Sequence, residues 1–347
     1  MSASAKMRAV RFHSHGEPSS VLQLEEVPKP VPAHGQVLVR MLTAPVNPSD
    51  LMYIRGQYTV QARCPAIPGF EGVGVVEQSG GGLRGRIFTG KRVAVLSKEA
   101  GSWGEYAVAP ADQVIPLDSR LTNAQAATFF VNPATAWVMT QEVLRIPPNE
   151  WLLLSAASSA LGSMIIRLGV ALGFRTLCIV RRESQVAALR KIGATEVVVF
   201  DGREENEADF QAGIADIMKG RGVSFAIDPV GGLTGSAIVR SLGPNGHLLV
   251  YGTLSGQPLN FSPRALMNTG SRVEGFWLGN FMASKGLFFK LGLVRRLARL
   301  VREGTLDSPI QQVVPLCDVR DAVMLAERSG EESARGKILI QIAENAG

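Results

Sequence analysis

Between residues 7 and 120 the apolar positions come in short runs broken by turn formers, including PKPVPAHG, PVNPSD, PAIPG and SGGG. QVLVRMLTAPV and EGVGVVEQ have the branched, alternating character of strands, and GKRVAVL followed by GEYAVAP reads as a further pair. The pattern predicts an irregular β-rich domain with few helices. After about residue 121 the rhythm changes. TNAQAATFFVNPATAWVMTQEV, WLLLSA, SALGSMIIRLGVALG and TLCIV alternate helical patterns with compact apolar runs. SQVAALRKIG, EVVVF, FQAGIADIMKG, VSFAIDPV, GSAIVRSLGP and HLLVYG continue the alternation, which predicts an α/β domain with a parallel, doubly wound sheet. The final stretch, from VVPLCDV to KILIQI, gives a strand, a helix and a strand that can return to the first domain. No internal repeat or low-complexity tract interrupts this order.

Composition narrows the class. A chain of 347 residues, 46% hydrophobic and 19% charged, is long enough for two domains with sizeable cores of their own. Cys64, Cys178 and Cys317 are far apart and fit neither a zinc spacing nor a disulfide framework, so a reducing, cytoplasmic compartment is expected. The opening MSASAKMRAVRFHSHG lacks the apolar run of an export signal, and no stretch approaches the roughly 20 apolar residues of a membrane span. A net charge of +6 favours anionic, phosphate-bearing ligands but is too diffuse for nucleic-acid binding. The densest basic patch, Lys290 to Arg302, alternates with Leu293, Leu297 and Leu300 at helical spacing and reads as the wet face of a surface helix.

The strand WLLLSA runs into ASSALG and then a helix, the setting of a dinucleotide-binding turn. Small residues there admit a pyrophosphate to the backbone, and the N–H groups of the helix N-terminus attract it. The spelling departs from G-x-G-x-x-G: Ala157 and Ser159 replace the first two glycines and Gly162 remains, so close packing alone would also account for it. The next strand, TLCIV, ends in Arg181 and Arg182, roughly 20 residues beyond the turn, where an acidic residue would bind the ribose of NAD. Guanidinium groups there suit the 2′-phosphate of NADP; the alternative is two solvated arginines closing a strand, and Glu183 either pairs with one of them or serves as a displaced ribose acceptor. AIDPVGG and LLVYGTLSG end two later strands, where ligands of such sheets gather, the alternative being ordinary glycine turns.

The order of motifs resembles the medium-chain dehydrogenase/reductase superfamily over nearly the whole chain. Within it, NPSDLMYIRGQY at 47 to 58, GSWGEY at 101 to 106, NPATAW at 132 to 137 and GFWL at 275 to 278 are most similar to the zinc-free 2-enoyl thioester reductases and quinone oxidoreductases. The resemblance implies a Rossmann NADP-binding domain over 129 to 309, inserted in a GroES-like catalytic domain formed by 1 to 128 and 310 to 347. Zinc-dependent relatives carry a histidine in a G-H-E turn, but this chain reads Gly69, Phe70, Glu71, and a phenyl ring cannot ligate a metal. Nor do His13, His15, His34 and His247 form a ligand set, so no metal is expected.

By the same resemblance, Tyr58 is the group that polarises the substrate carbonyl or guides a proton, and Trp277 shapes the same pocket. As alternatives, Tyr58 would anchor a surface turn after Gly56, and Trp277 would be core. Asn47 and Thr135 are implied to face the nicotinamide or its ribose, although Asn and Thr beside proline also cap turns. The remaining cofactor contacts implied are Ser158, Ser159, Ala160, Leu161 and Gly162 in the turn, Arg181 and Arg182, then Val230, Tyr251, Gly252, Phe276 and Leu278. The expected activity is NADPH-dependent reduction of an activated C=C, with quinone or enone reduction as the sister reading. A non-catalytic NADPH-binding protein is the reading of another class. The expected partner is a small electrophilic substrate, with no nucleic acid or membrane. A homodimer is implied by resemblance, with the sheet edge around LLVYG as its contact.

Overall fold

The computed structural model describes residues 5–97, 99–329 and 336–343. Two compact units divide the chain: one runs to Val131 and resumes at Ser308, and the other is Asn132–Asp307.

The first unit is built on a seven-stranded sheet whose order is Ile310–Pro315, Lys337–Gln341, Gln36–Pro45, Glu71–Ser79, Arg92–Leu96 and Val114–Pro116, with Tyr106–Pro110 joined to Gln36–Pro45. All its pairings are antiparallel except that of Ile310–Pro315 with Lys337–Gln341. The alternation of Val37, Val39 and Met41 sends these side chains to one face, where they meet Phe12, Trp103, Ile338 and Ile340 in a single core. The C-terminal strand therefore lies inside the sheet.

Two expectations change here. GKRVAVL and GEYAVAP both contain strands, but they do not pair with each other: Arg92–Leu96 joins Glu71–Ser79, and Tyr106–Pro110 joins Gln36–Pro45. Trp103, fully buried between them, donates its ring N–H to the Pro45 carbonyl and sends the chain across the sheet instead of into a hairpin. PVNPSD, read as a turn, starts a helix, Pro48–Arg55. Pro48 sits at its first position, where no N–H is needed, Asp50 accepts the Asn47 N–H at 2.7 Å, and Gly56 ends it at φ 73°.

In the second unit we label the strands β1 (Trp151–Leu154), β2 (Arg175–Val180), β3 (Glu196–Val199), β4 (Val223–Asp228), β5 (Leu242–Val250) and β6 (Arg272–Gly275). All are parallel, in the order 3-2-1-4-5-6 of a Rossmann sheet. Leu153, Leu177, Ala226 and Leu248 from neighbouring strands pack with Phe210, Ile214 and Ile238 from the helices. LLVYG, expected at a sheet edge, is interior, because β5 pairs with β4 and also with β6. The edge strand reads Arg-Val-Glu-Gly, and its brevity and charge hide it from a hydrophobic pattern. The basic segment is the amphipathic helix Leu287–Arg302, with Leu293, Leu297, Leu300 and Val301 buried and Arg295, Arg299 and Arg302 outward. Among the described residues no helix is long and apolar enough to cross a membrane.

Candidate functional site

In the second unit the chain leaves β1 through Ser155 and a turn in which Ala156 takes the left-handed region at φ 47°. Ser159 caps the helix Ala160–Leu172, its Oγ accepting the Gly162 N–H at 3.0 Å. The one glycine kept from the dinucleotide pattern has a steric reason: a Cβ on Gly162 would stand 2.4 Å from the Ala157 carbonyl oxygen. The first-turn N–H groups of such a helix have no carbonyl partner four residues back, so Ala160 and Leu161 present backbone donors beside the Ser158 and Ser159 hydroxyls.

Parallel pairing brings the carboxyl ends of the strands to one edge of the sheet, where hydrogen bonds fasten them together. Asp228, closing β4, accepts the Ser155 hydroxyl from the end of β1, the Val230 N–H at 2.9 Å and the Gly231 N–H at 2.8 Å. Burial pushes its carboxyl up, and these three donors work against that shift. The Tyr251 N–H reaches the Asp228 carbonyl at 3.0 Å, and the Phe276 N–H reaches the Val250 carbonyl at 2.7 Å. Gly252 is needed for close approach, since a Cβ there would lie 2.8 Å from the Pro229 carbonyl oxygen. Val230, Tyr251, Gly252 and Phe276 thus belong to one set of strand ends with the turn after β1.

Arg181 and Arg182 follow β2 directly, and both are exposed. Arg181 lines a cavity of about 320 Å³ together with Phe200, Asp201, Asn206 and Phe210. Beneath the arginines lies Gln185, a buried residue absent from the sequence expectations, which accepts both arginine N–H groups and donates to Ser158 Oγ. Trp277 stands 41% exposed at the start of the helix Leu278–Ala283, so it is not core. Leu278 is half-buried in the first turn of that helix, and Thr135 is buried in the helix Val131–Trp137.

In the first unit Tyr58 lies two residues beyond the glycine that ends the helix Pro48–Arg55. It is half-buried, with its ring 5.2 Å from that of Phe70. Tyr53 meets the same phenyl ring edge-on, also at 5.2 Å, so the position of the zinc ligand in the G-H-E relatives is filled by an aromatic stack. Below it is a buried polar cluster. Asp50 accepts the N–H groups of Asn47 and Phe70, and Glu71 accepts those of Phe130 and Val131, both at 2.9 Å. Lys337, from the C-terminal strand, donates to Asn47 Oδ1.

Burial pushes the Asp50 carboxyl up to about 7 against the pull of the Asn47 and Phe70 N–H groups and the Lys337 charge. It also raises Glu71 and lowers Lys337, with each carboxylate holding the lysine's proton in place. Asn47, expected at the nicotinamide, has its side-chain oxygen committed to this network, and its side chain is also a hydrogen-bond partner of the Glu71 carboxyl, which it pulls down. The cluster was not foreseen: Asp50 is visible in NPSD and Glu71 in GFE, but nothing near Lys337 announces its partners. Among the described residues no three His, Cys, Asp or Glu side chains are grouped to hold a metal.

Comparison with known proteins agrees with this architecture. Residues 33–119 match the family model of the alcohol dehydrogenase GroES-like domain, and residues 160–291 match that of the zinc-binding dehydrogenases. A mitochondrial enoyl-[acyl-carrier-protein] reductase of Bos taurus is 31% identical over 318 residues, covering 90% of this chain and 84% of the relative. A crystal structure from Bacillus thuringiensis, described as an NADPH:quinone reductase, superposes with a TM-score of 0.88 at 32% identity over 98% of this chain and 100% of that one. The complex of Etr1p with NADP and crotonyl-CoA superposes with a TM-score of 0.82 at 26% identity over 97% and 100%. The protein is therefore a medium-chain dehydrogenase/reductase, and it belongs to the zinc-free branch that holds these enoyl and quinone reductases.

Proposed function

We propose that this protein is an NADPH-dependent reductase of activated carbon–carbon double bonds, with a 2-enoyl thioester as its substrate. The observation that carries the cofactor reading is the guanidinium pair at the end of β2, in the position that meets the adenosine ribose in Rossmann sheets. The turn after β1 fits the same ligand, because its small residues and helix-start donors suit a pyrophosphate. Bound NADPH would supply hydride to the β-carbon of the substrate. Tyr58 would then donate a hydrogen bond to the carbonyl oxygen as negative charge develops there, its ring held by Phe70, and would guide the proton to the α-carbon. Thr135 and Asn47 are the residues we assign to the nicotinamide end. Val230, Tyr251, Gly252, Phe276, Trp277 and Leu278 are assigned to the walls.

The enoyl reductase names of relatives 29 to 31% identical support the thioester. The 32% identity to the Bacillus thuringiensis protein favours quinone or enone reduction as the second reading. Purified protein should oxidise NADPH with crotonyl-CoA faster than with a panel of quinones assayed side by side. The reverse order would overturn the substrate, and cofactor binding with no turnover of either would favour the non-catalytic class. Replacing Arg181 and Arg182 by alanine should weaken NADPH at least tenfold more than NADH, of the order expected for a charge-assisted hydrogen bond; equal loss would refute the phosphate role. A homodimer through the open edge of β6 is the assembly we propose, testable by sedimentation. Cys64, Cys178 and Cys317 are all unpaired, which supports placement in a reducing compartment such as the cytoplasm.

A further inference from the structure

The ends of β1 and β2 are joined by one side chain. Gln185 is 4% exposed and lies just before the helix Val186–Lys191. Its Oε1 accepts the backbone N–H of Arg181 and of Arg182, each at 3.2 Å, and its own N–H reaches the Arg182 carbonyl at 3.1 Å. Its Nε2 donates to Ser158 Oγ at 2.9 Å, 27 residues away in the turn after β1.

The chemistry of these partners leaves few alternatives to an amide. Two converging N–H donors need an acceptor with two lone pairs, and the serine oxygen opposite takes a donor from the same side chain. The two N–H groups also fix which end of the amide faces them, since a reversed amide would set donors against donors. A glutamate would supply the acceptors but would bring a negative charge next to a site read as binding phosphate. Because Ser158 Oγ accepts from Gln185, its hydroxyl proton is turned away from the amide and toward whatever acceptor occupies the turn.

We propose that Gln185 is a positioning residue of the cofactor site: it locks the backbone that carries Arg181 and Arg182 to the pyrophosphate turn, so preference for a 2′-phosphorylated dinucleotide is set through it. This rests on the NADPH reading above. Loosening the amide lets the arginine backbone move relative to the turn, so a ligand gripped at both places loses more than one gripped only at the turn. Without the amide, the backbone that carries the two arginines would have to be ordered by the ligand itself, at a cost in conformational entropy.

The test is the binding of NADPH, NADH and 2′,5′-ADP to the full chain carrying Gln185→Met, which keeps length and removes every side-chain hydrogen bond. NADPH and 2′,5′-ADP should each weaken about tenfold, and NADH by less than threefold. Combined with the arginine-to-alanine changes, Gln185→Met should add little further loss for NADPH, because it acts through those arginines. Equal weakening of NADPH and NADH, or full additivity, would overturn the proposal and leave Gln185 as a purely structural residue. Wild-type protein that binds NADH as tightly as NADPH would overturn the cofactor reading itself, a distinguishable failure. Should Gln185→Met not fold, Gln185→Asn, too short to span both partners, should shift the NADPH to NADH ratio in the same direction, and an unchanged ratio would be equally fatal.

Discussion

Tyr58 owes its place to two neighbours in sequence and one in space. Gly56 turns the chain out of its helix, Gln61 donates to the Tyr58 carbonyl at 2.6 Å, and Phe70 lies against the ring. Phenylalanine at position 58 preserves that stack and removes only the hydroxyl. Tyr58→Phe should therefore lower kcat by roughly 100-fold, the loss typical of one donor to a developing oxyanion, with NADPH affinity nearly intact in a binding titration. Gly162 makes a different demand, because its neighbour is backbone and cannot rotate away. Gly162→Ala should cost about 1–3 kcal/mol in urea unfolding and weaken the dinucleotide through the displaced turn. The arginines, Phe70 and Gly162 were all legible in the sequence, since each stands at a fixed offset in a local motif. Gln185 was not, as its bond to Ser158 is defined by how two strands pair and its two local bonds follow no motif.

Among elements, the helix Pro48–Arg55, the strand Glu71–Ser79 and the strand Lys337–Gln341 meet at the buried cluster of Asp50, Glu71 and Lys337. Lys337→Met would leave buried carboxyl groups without a counter-charge, a change that typically costs about 3–5 kcal/mol. The pH dependence has a definite sign. In the folded chain Asp50 holds its proton up to about 7, whereas an unfolded aspartate loses its proton near ~3.9. Folding thus takes up protons between those values, and the contribution of Asp50 to stability is greatest below ~3.9 and is lost as pH rises through about 7. Glu71, raised in the same way, adds to this slope. Removing the lysine raises both carboxyls further, so the deficit of Lys337→Met in urea midpoints should be larger at pH 8 than at pH 5. A deficit independent of pH would mean that the lysine contributes packing alone. Helix and strand types were legible from periodicity; the short charged strand β6 and the helix beginning at Pro48 escaped because tertiary pairing and capping, not hydrophobic rhythm, define them.

On the scale of the whole chain, the first unit is discontinuous and the second is one uninterrupted stretch. Ending the chain after residue 307 would remove Ile310–Pro315 and Lys337–Gln341, exposing Val46, Trp103 and Met41 of the remaining core. Such a truncation should abolish the cooperative unfolding of the first unit and expose it to proteolysis, while residues 132 to 307 stay protected and bind NADPH. Loss of both would show that the second unit depends on the first. The sequence alone determined the strand–helix alternation that makes a parallel sheet, the small-residue turn between its first strand and helix and the phenylalanine at position 70, because all of these follow from residues within one turn or strand of each other. Only the tertiary structure decided that Lys337 would meet Asn47 across 290 positions and that Gln185 would span two strands. Backbone geometry imposes a period on side chains that share an element, whereas a buried polar group needs only one partner, supplied from any distance along the chain, and leaves no period to read.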